Sequence, residues 1–195
     1  MLIYETWLGV PNLSFWELYQ LFEKEGGLNL NLNDYNFIFK NLAYLVSFKK
    51  RIQAIENLQG FNVKVFGNKT WEKYVSGNVE YMGECDLLES INVVNKSKII
   101  LHSQPSQIPL GLHERILNAS AVETFVISSD NSSIKNTFGD SIAYYNTNLD
   151  NLAERVEYYL KNDEERIFKA QSARKIVAEN HTWASRAEQI LGMIS

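Results

Sequence analysis

The residues best suited to chemistry stand together in Gly111-Leu112-His113-Glu114-Arg115-Ile116-Leu117-Asn118-Ala119-Ser120-Ala121. The segment follows an apolar run and a proline-containing loop, and its pattern opens a helix with Ile116, Leu117, Ala119 and Ala121 free to face a sheet. His113, Glu114 and Arg115 crowd the first turn, where the positive helix end and a guanidinium together suit a diphosphate. Asn118, one turn beyond Glu114, shares its face and has the right groups for a sugar or ribose hydroxyl. The plainer reading stays open beside this one: an ordinary first turn in which Glu114 complements the helix dipole and Arg115 is solvated. His113-Glu114 is not a zinc-binding HExxH motif, because Leu117 stands four residues after His113, and neither a GxGxxG run nor a P-loop is present.

Two further polar groups have structural readings. Ser129-Asp130-Asn131-Ser132-Ser133, leading to Phe138-Gly139-Asp140, reads as a helix N-cap. His181-Thr182-Trp183 with Arg186 opens the last helix and suits packing or capping. Histidine, cysteine and acidic residues do not cluster at metal-ligand spacing, so no metal or other cofactor is expected. The single cysteine, Cys85, excludes an internal disulfide and fits a reducing compartment. Its flanks, Glu84 and Asp86, do not favour a thiolate nucleophile, so it reads as structural.

The elements that must position these groups divide near residue 60. Before it, apolar residues recur at helical spacing: Phe15, Leu18, Tyr19 and Phe22, then Phe37 through Leu58. Gly26-Gly27 and an Asn-rich run separate these helices, with the second N-cap expected at Asn33 or Asp34 and Gly60 expected as its C-terminal stop. After Gly60, short apolar runs at 62–66, 98–102, 124–128 and 141–145 alternate with helical patterns at 86–96, 114–122 and 133–138, and a very short strand is expected at 79–81. Long helices follow at about 149–160, 163–179 and 182–194. Strand–helix alternation implies right-handed crossovers and a parallel sheet covered on both faces. The expected fold is therefore α/β, a Rossmann-like doubly wound parallel sheet over 60–195, with an N-terminal helical extension over 1–59.

In such a sheet, ligands sit beyond the carboxyl ends of the strands. That rule selects the loops after Phe66, His102, Ser128 and Tyr145, which begin Gly67-Asn68-Lys69-Thr70, Ser103-Gln104-Pro105 and Ser129-Asp130-Asn131 where the sequence is informative.

With 195 residues, 45% hydrophobic and 22% charged, the chain suits one globular domain with an appendage. A net charge of −4 gives no field for nucleic acid or an anionic membrane. The densest basic cluster, Lys49-Lys50-Arg51, reads as a solvated helix face. No apolar run reaches the roughly 20 residues of a membrane span, and the N-terminus lacks the pattern of a signal peptide. A cytoplasmic location is expected.

Four pieces carry a resemblance. They are Arg51 ahead of Val63-Lys64-Val65-Phe66-Gly67 with Trp71 nearby; Ser97-Lys98-Ile99-Ile100-Leu101-His102; His113-Glu114-Arg115-Ile116-Leu117-Asn118-Ala119; and Asp163-Glu164-Glu165-Arg166 followed by His181-Thr182-Trp183-Ala184-Ser185-Arg186. In order and spacing, from about residue 35 to the C-terminus, they resemble the C-terminal domain of GT-B glycosyltransferases, in the branch related to spore-maturation CgeB-like proteins. The resemblance implies a metal-independent donor site for a nucleotide-diphosphate sugar, facing an acceptor domain. On it, Arg115 meets phosphate, Glu114 and Asn118 meet hydroxyls, and Gly67 lets backbone approach the donor. Gly67, Asn68, Ser103, Gln104, His113, Glu114, Arg115 and Asn118 are the candidate donor-binding residues; no catalytic residue is assigned. The common retaining pattern carries glutamates at the positions of Leu110 and Asn118, which this chain lacks; the family's helix ends in Cys-Gly where this chain has Val122-Glu123, so an altered turn is expected there. Residues 1–59 lack the alternation of the N-terminal Rossmann domain, so the chain is expected to be a piece of a longer enzyme or a stand-alone remnant. Two functions remain open: a donor-binding domain, or a non-catalytic interaction domain using residues 1–59 to meet a partner. A third, a flavodoxin-like or response-regulator domain, wants an acidic cluster or phosphate loop after the first strand, which Gly67-Asn68-Lys69-Thr70 does not supply.

Overall fold

The computed structural model describes residues 14–24 and 30–194. The segment before Ser14, the Gly26-Gly27 break and the side chains of Phe15 and Phe22 lie outside the described residues. The chain forms two compact units. Unit one gathers residues up to Glu84 with Ser103–Gly111 and Asn146–Leu152; unit two gathers Cys85–His102, Leu112–Tyr145 and the residues from Ala153 on.

Unit one contains α1 (Phe15–Lys24), α2 (Leu32–Asn57), β1 (Val63–Phe66), a 3-10 turn (Lys69–Tyr74) and β2 (Val79–Gly83). A capping box starts α1: Ser14 Oγ accepts the Glu17 N–H at 3.2 Å and the Glu17 carboxylate accepts the Ser14 N–H at 2.8 Å. The Ser14 hydroxyl, which donates to the Glu17 carboxylate at 2.6 Å, and then the Ser14 N–H hold that carboxyl below its ordinary range. The N-cap of α2 is Asn31, not Asn33 or Asp34; its Oδ1 accepts from the N–H groups of both at 2.9 and 3.0 Å. Several asparagines here have the chemistry to cap. The helix that starts after Asn31 sets Tyr35, Ile38, Phe39 and Leu42 against Leu18, Ala43 and Val46.

At its other end α2 stops at Asn57 with Leu58 as C-cap, two residues before Gly60. Leu58 is buried and Gly60 takes no left-handed conformation, so packing ends the helix and the expected glycine stop does not apply. Lys49, Lys50 and Arg51 are half-buried rather than a solvated face, and burial draws the Lys50 amine below its ordinary range. The later turns of α2 cover the parallel β1–β2 pair, where Ile52 and Ile55 pack with Trp71 and Val79.

Unit two contains α3 (Leu87–Lys96), β3 (Ile99–His102), α4 (Glu114–Ala121), β4 (Phe125–Ser129), α5 (Ser132–Phe138), a 3-10 turn (Gly139–Ser141) and β5 (Ala143–Tyr145). After these come α6 (Leu152–Lys161), α7 (Asp163–Asn180) and α8 (Trp183–Ile194). The strands form a parallel sheet in the order β3-β4-β5, so the described residues form two parallel sheets, of two and three strands, rather than one. Strand β4 is central, and Phe125 through Ser128 are buried without a break, as a strand covered on both faces requires.

The two faces follow from side-chain alternation. Ile100, Val126 and Tyr144 meet a core built from Ile116 and Ala119 of α4, Ile134 and Phe138 of α5, and Ala173 and Val177 of α7. On the opposite face Phe125 meets Tyr159 of α6, with ring centroids 4.5 Å apart. Helices thus flank both faces, and the chain is a Rossmann-like α/β fold with an N-terminal helical part. Among the described residues no helix is long and apolar enough to cross a membrane.

Candidate functional site

The eight candidate residues divide equally between the units. His113, Glu114, Arg115 and Asn118 belong to unit two, and Gly67, Asn68, Ser103 and Gln104 to unit one.

In unit two the candidate residues stand on the first two turns of α4. Its inner flank, Ile116, Ala119 and Ser120, is buried against the sheet and α7, which fixes the helix axis. Glu114, Arg115 and Asn118 consequently stand on the solvent flank, and all three are exposed. His113 is the N-cap: its Nδ1 accepts the Arg115 N–H at 3.1 Å. That bond requires an unprotonated Nδ1, so in the neutral ring the proton sits on Nε2. The His113 ring lies 5.6 Å from the ring of His102, the buried last residue of β3. A cap of this kind was not foreseen from the sequence, because histidine is not among the usual capping residues.

The loop after β4 is committed to structure. Asn131 is buried and its Oδ1 accepts from Ser133 and Ile134 N–H at 3.0 and 3.2 Å, which is the expected cap of α5. The Asp130 N–H donates to the Tyr145 carbonyl at 3.0 Å, and the Asp130 carboxylate pairs with Lys135 at 2.8 Å. His181 ends α7, and Thr182 Oγ1 accepts the Ser185 N–H at 3.1 Å to start α8. Both roles are structural. Among the described residues no group of three or more His, Cys, Asp and Glu side chains is gathered to hold a metal ion.

The unit-one candidates are engaged locally. Gly67 donates its N–H to the Gly83 carbonyl at 2.9 Å and accepts from the Tyr81 hydroxyl at 2.9 Å. A Cβ at Gly67 would stand 2.8 Å from Trp71 Cδ1, so the indole itself accounts for a glycine here. Asn68 caps the 3-10 turn by accepting the Thr70 N–H at 3.1 Å. Gln104 Nε2 donates to the Ile108 and Gly111 carbonyls at 2.6 and 3.3 Å, closing the 104–111 loop on itself. Ser103 is half-buried beside it.

A solvent-facing Glu-Arg-x-x-Asn flank, beyond the carboxyl end of a parallel strand, thus presents charged and amide groups together on α4. A protein-family model described as glycosyl transferase-like matches residues 49–192. The chain belongs to that glycosyl transferase-like family. The match takes in both sheets and α4, and the resemblance found in the four sequence pieces is to the same kind of protein. No curated protein sequence matches the chain. For a glycosyl transferase-like domain the α4 flank has suitable chemistry: a guanidinium for phosphate, and a carboxylate and an amide for hydroxyl groups.

Proposed function

We propose that the chain binds a nucleotide-diphosphate sugar as the donor-binding domain of a metal-independent glycosyl transfer system, with α4 as the anchoring element. Arg115 would meet the diphosphate at the positive helix end, and Glu114 and Asn118 would meet ribose or sugar hydroxyls. The observation that carries this reading is the exposed placement of Arg115, Glu114 and Asn118 on one flank of α4, in a chain of this family. The polar loop after β4, by contrast, is occupied in capping α5.

Calorimetric titration with UDP, GDP and their sugar conjugates tests it. Binding by at least one is expected, and no heat from any of them up to about millimolar (a free energy near −4 kcal/mol) would sink the reading. Where one binds, Arg115→Ala should cost about 1.5–3 kcal/mol, the scale of a charge-assisted hydrogen bond. An unchanged affinity removes Arg115 from the site.

A second reading, a non-catalytic interaction domain, is favoured by Leu110 and Asn118 at positions where the common retaining pattern has glutamates. Exposed aromatic residues of unit one, Trp16, Phe37 and Tyr44, supply a surface for a protein partner on that reading. Nucleotide binding without release of sugar to water or to an added acceptor separates binding from turnover.

A further inference from the structure

We propose that Tyr145 is a positioning residue for the α4 flank and acts through His102; the proposal rests on the donor-site reading for its effect on ligand, though not for the contact path itself. Tyr145 ends β5, and its hydroxyl donates to the main-chain carbonyl of His102 at 3.1 Å in a buried bond. In register, Tyr145 stands opposite Ser129, and His102 opposite Ser128. The hydroxyl therefore reaches across the central strand, from β5 to β3. Tyr145 is buried, and phenylalanine would fill the same space without making this bond.

Strand alternation then carries the effect across the sheet. The His102 side chain shares a face with Ser128 and Tyr144, the face covered by α4, and the Tyr145 ring lies on the other. On the α4 side the His102 ring meets the His113 ring, tilted by 48° at 5.6 Å, and His113 Nδ1 holds the Arg115 N–H. Both strands at the ends of this path are short, four residues in β3 and three in β5, and His102 and Tyr145 are their last residues. The hydroxyl bond clamps the end of β3 and, through two imidazoles in contact, the first turn of α4.

The test uses the whole chain and begins without ligand. In Tyr145→Phe, the ¹⁵N signal of His113 Nδ1 should move away from its hydrogen-bonded position while far-ultraviolet circular dichroism stays unchanged. His102→Leu, which keeps the main-chain carbonyl and removes the ring, cuts the path at its next contact. It should move the same signal, and it decides the matter if Tyr145→Phe does not fold. With UDP or GDP as the probe, Tyr145→Phe should raise the Kd roughly threefold or more, the scale of coupling between contacting groups. In a His113→Asn background, where asparagine supplies the cap without the ring, Tyr145→Phe should have no further effect on Kd. Additive effects in that double-mutant cycle, or an unmoved His113 signal in either folded ligand-free variant, overturn the proposal. Should wild type bind neither nucleotide, the donor-site reading fails alone, and the imidazole signal still decides whether Tyr145 governs His113.

Discussion

Glu123 holds a left-handed backbone, with φ at 58°, and its carboxylate meets the Arg174 guanidinium at 2.5 Å. The position follows α4 and turns the chain into β4, a place where glycine adopts that conformation without strain. Glutamate keeps the turn that glycine would make. It adds an ion pair to α7, both side chains being about half exposed.

The strain at Glu123 outweighs the ion pair. A left-handed L-residue costs roughly 1–2 kcal/mol, whereas an exposed pair is worth about 0–1 kcal/mol. Glu123→Ala keeps the strain and loses the pair, so it should fall slightly below wild type, by less at high salt. Glu123→Gly loses the pair and relieves the strain, and should exceed the alanine variant by about 1 kcal/mol. Urea midpoints of the three proteins check this; equal midpoints for the two variants would remove the strain argument.

Gly67 should prove to be a packing glycine. Its φ is 151°, and a methyl added there would come within 2.8 Å of Trp71 Cδ1. Gly67→Ala must therefore displace an indole packed with Ile52, Ile55 and Val79. Overpacking of this kind costs about 1–3 kcal/mol. Denaturation followed by tryptophan fluorescence should show the loss. Full stability combined with weakened nucleotide binding would return Gly67 to a donor-binding role.

The pH dependence of stability should carry a contribution from His181. Partial burial, and then the nearby Arg186 cation, lower its pKa below the ordinary value of 6.5. Arg186 Nη2 lies 2.7 Å from the imidazole Nδ1, a contact suited to the neutral ring. The unfolded chain therefore takes up this proton first. The stabilisation is complete above 6.5 and is lost as pH falls from 6.5 through the lower folded value. Melting temperatures between about pH 8 and 5 should fall less steeply in His181→Gln than in wild type, and identical slopes would exclude the histidine.

What could be read along the chain were features whose partners lie nearby in sequence. The β-branched runs at Ile99–His102 and Phe125–Ser129 are strands because continuous apolarity over so few residues suits burial on both faces. Asn131 caps α5 because the N–H donors it accepts from, Ser133 and Ile134, are two and three residues away. The exposure of Glu114 with Asn118 follows from helical spacing once Ile116 and Ala119 are buried. Even local chemistry had limits: Asn31, Asn33 and Asp34 all have the groups of a cap, and only packing of α2 on α1 chose among them.

Tertiary structure alone decided the rest, because its causes join distant residues. It placed the Tyr145 hydroxyl on a carbonyl 43 residues away, set Trp71 against Gly67, and stopped α2 at a buried Leu58 rather than at Gly60. It also kept a glycine-like turn at Glu123, beside an arginine 51 positions further on. Hydrophobic periodicity and capping chemistry act within a few residues and so determined the elements. Which side chains meet across strands and between helices depends on the register and packing of those elements, and no spacing along the chain encodes it.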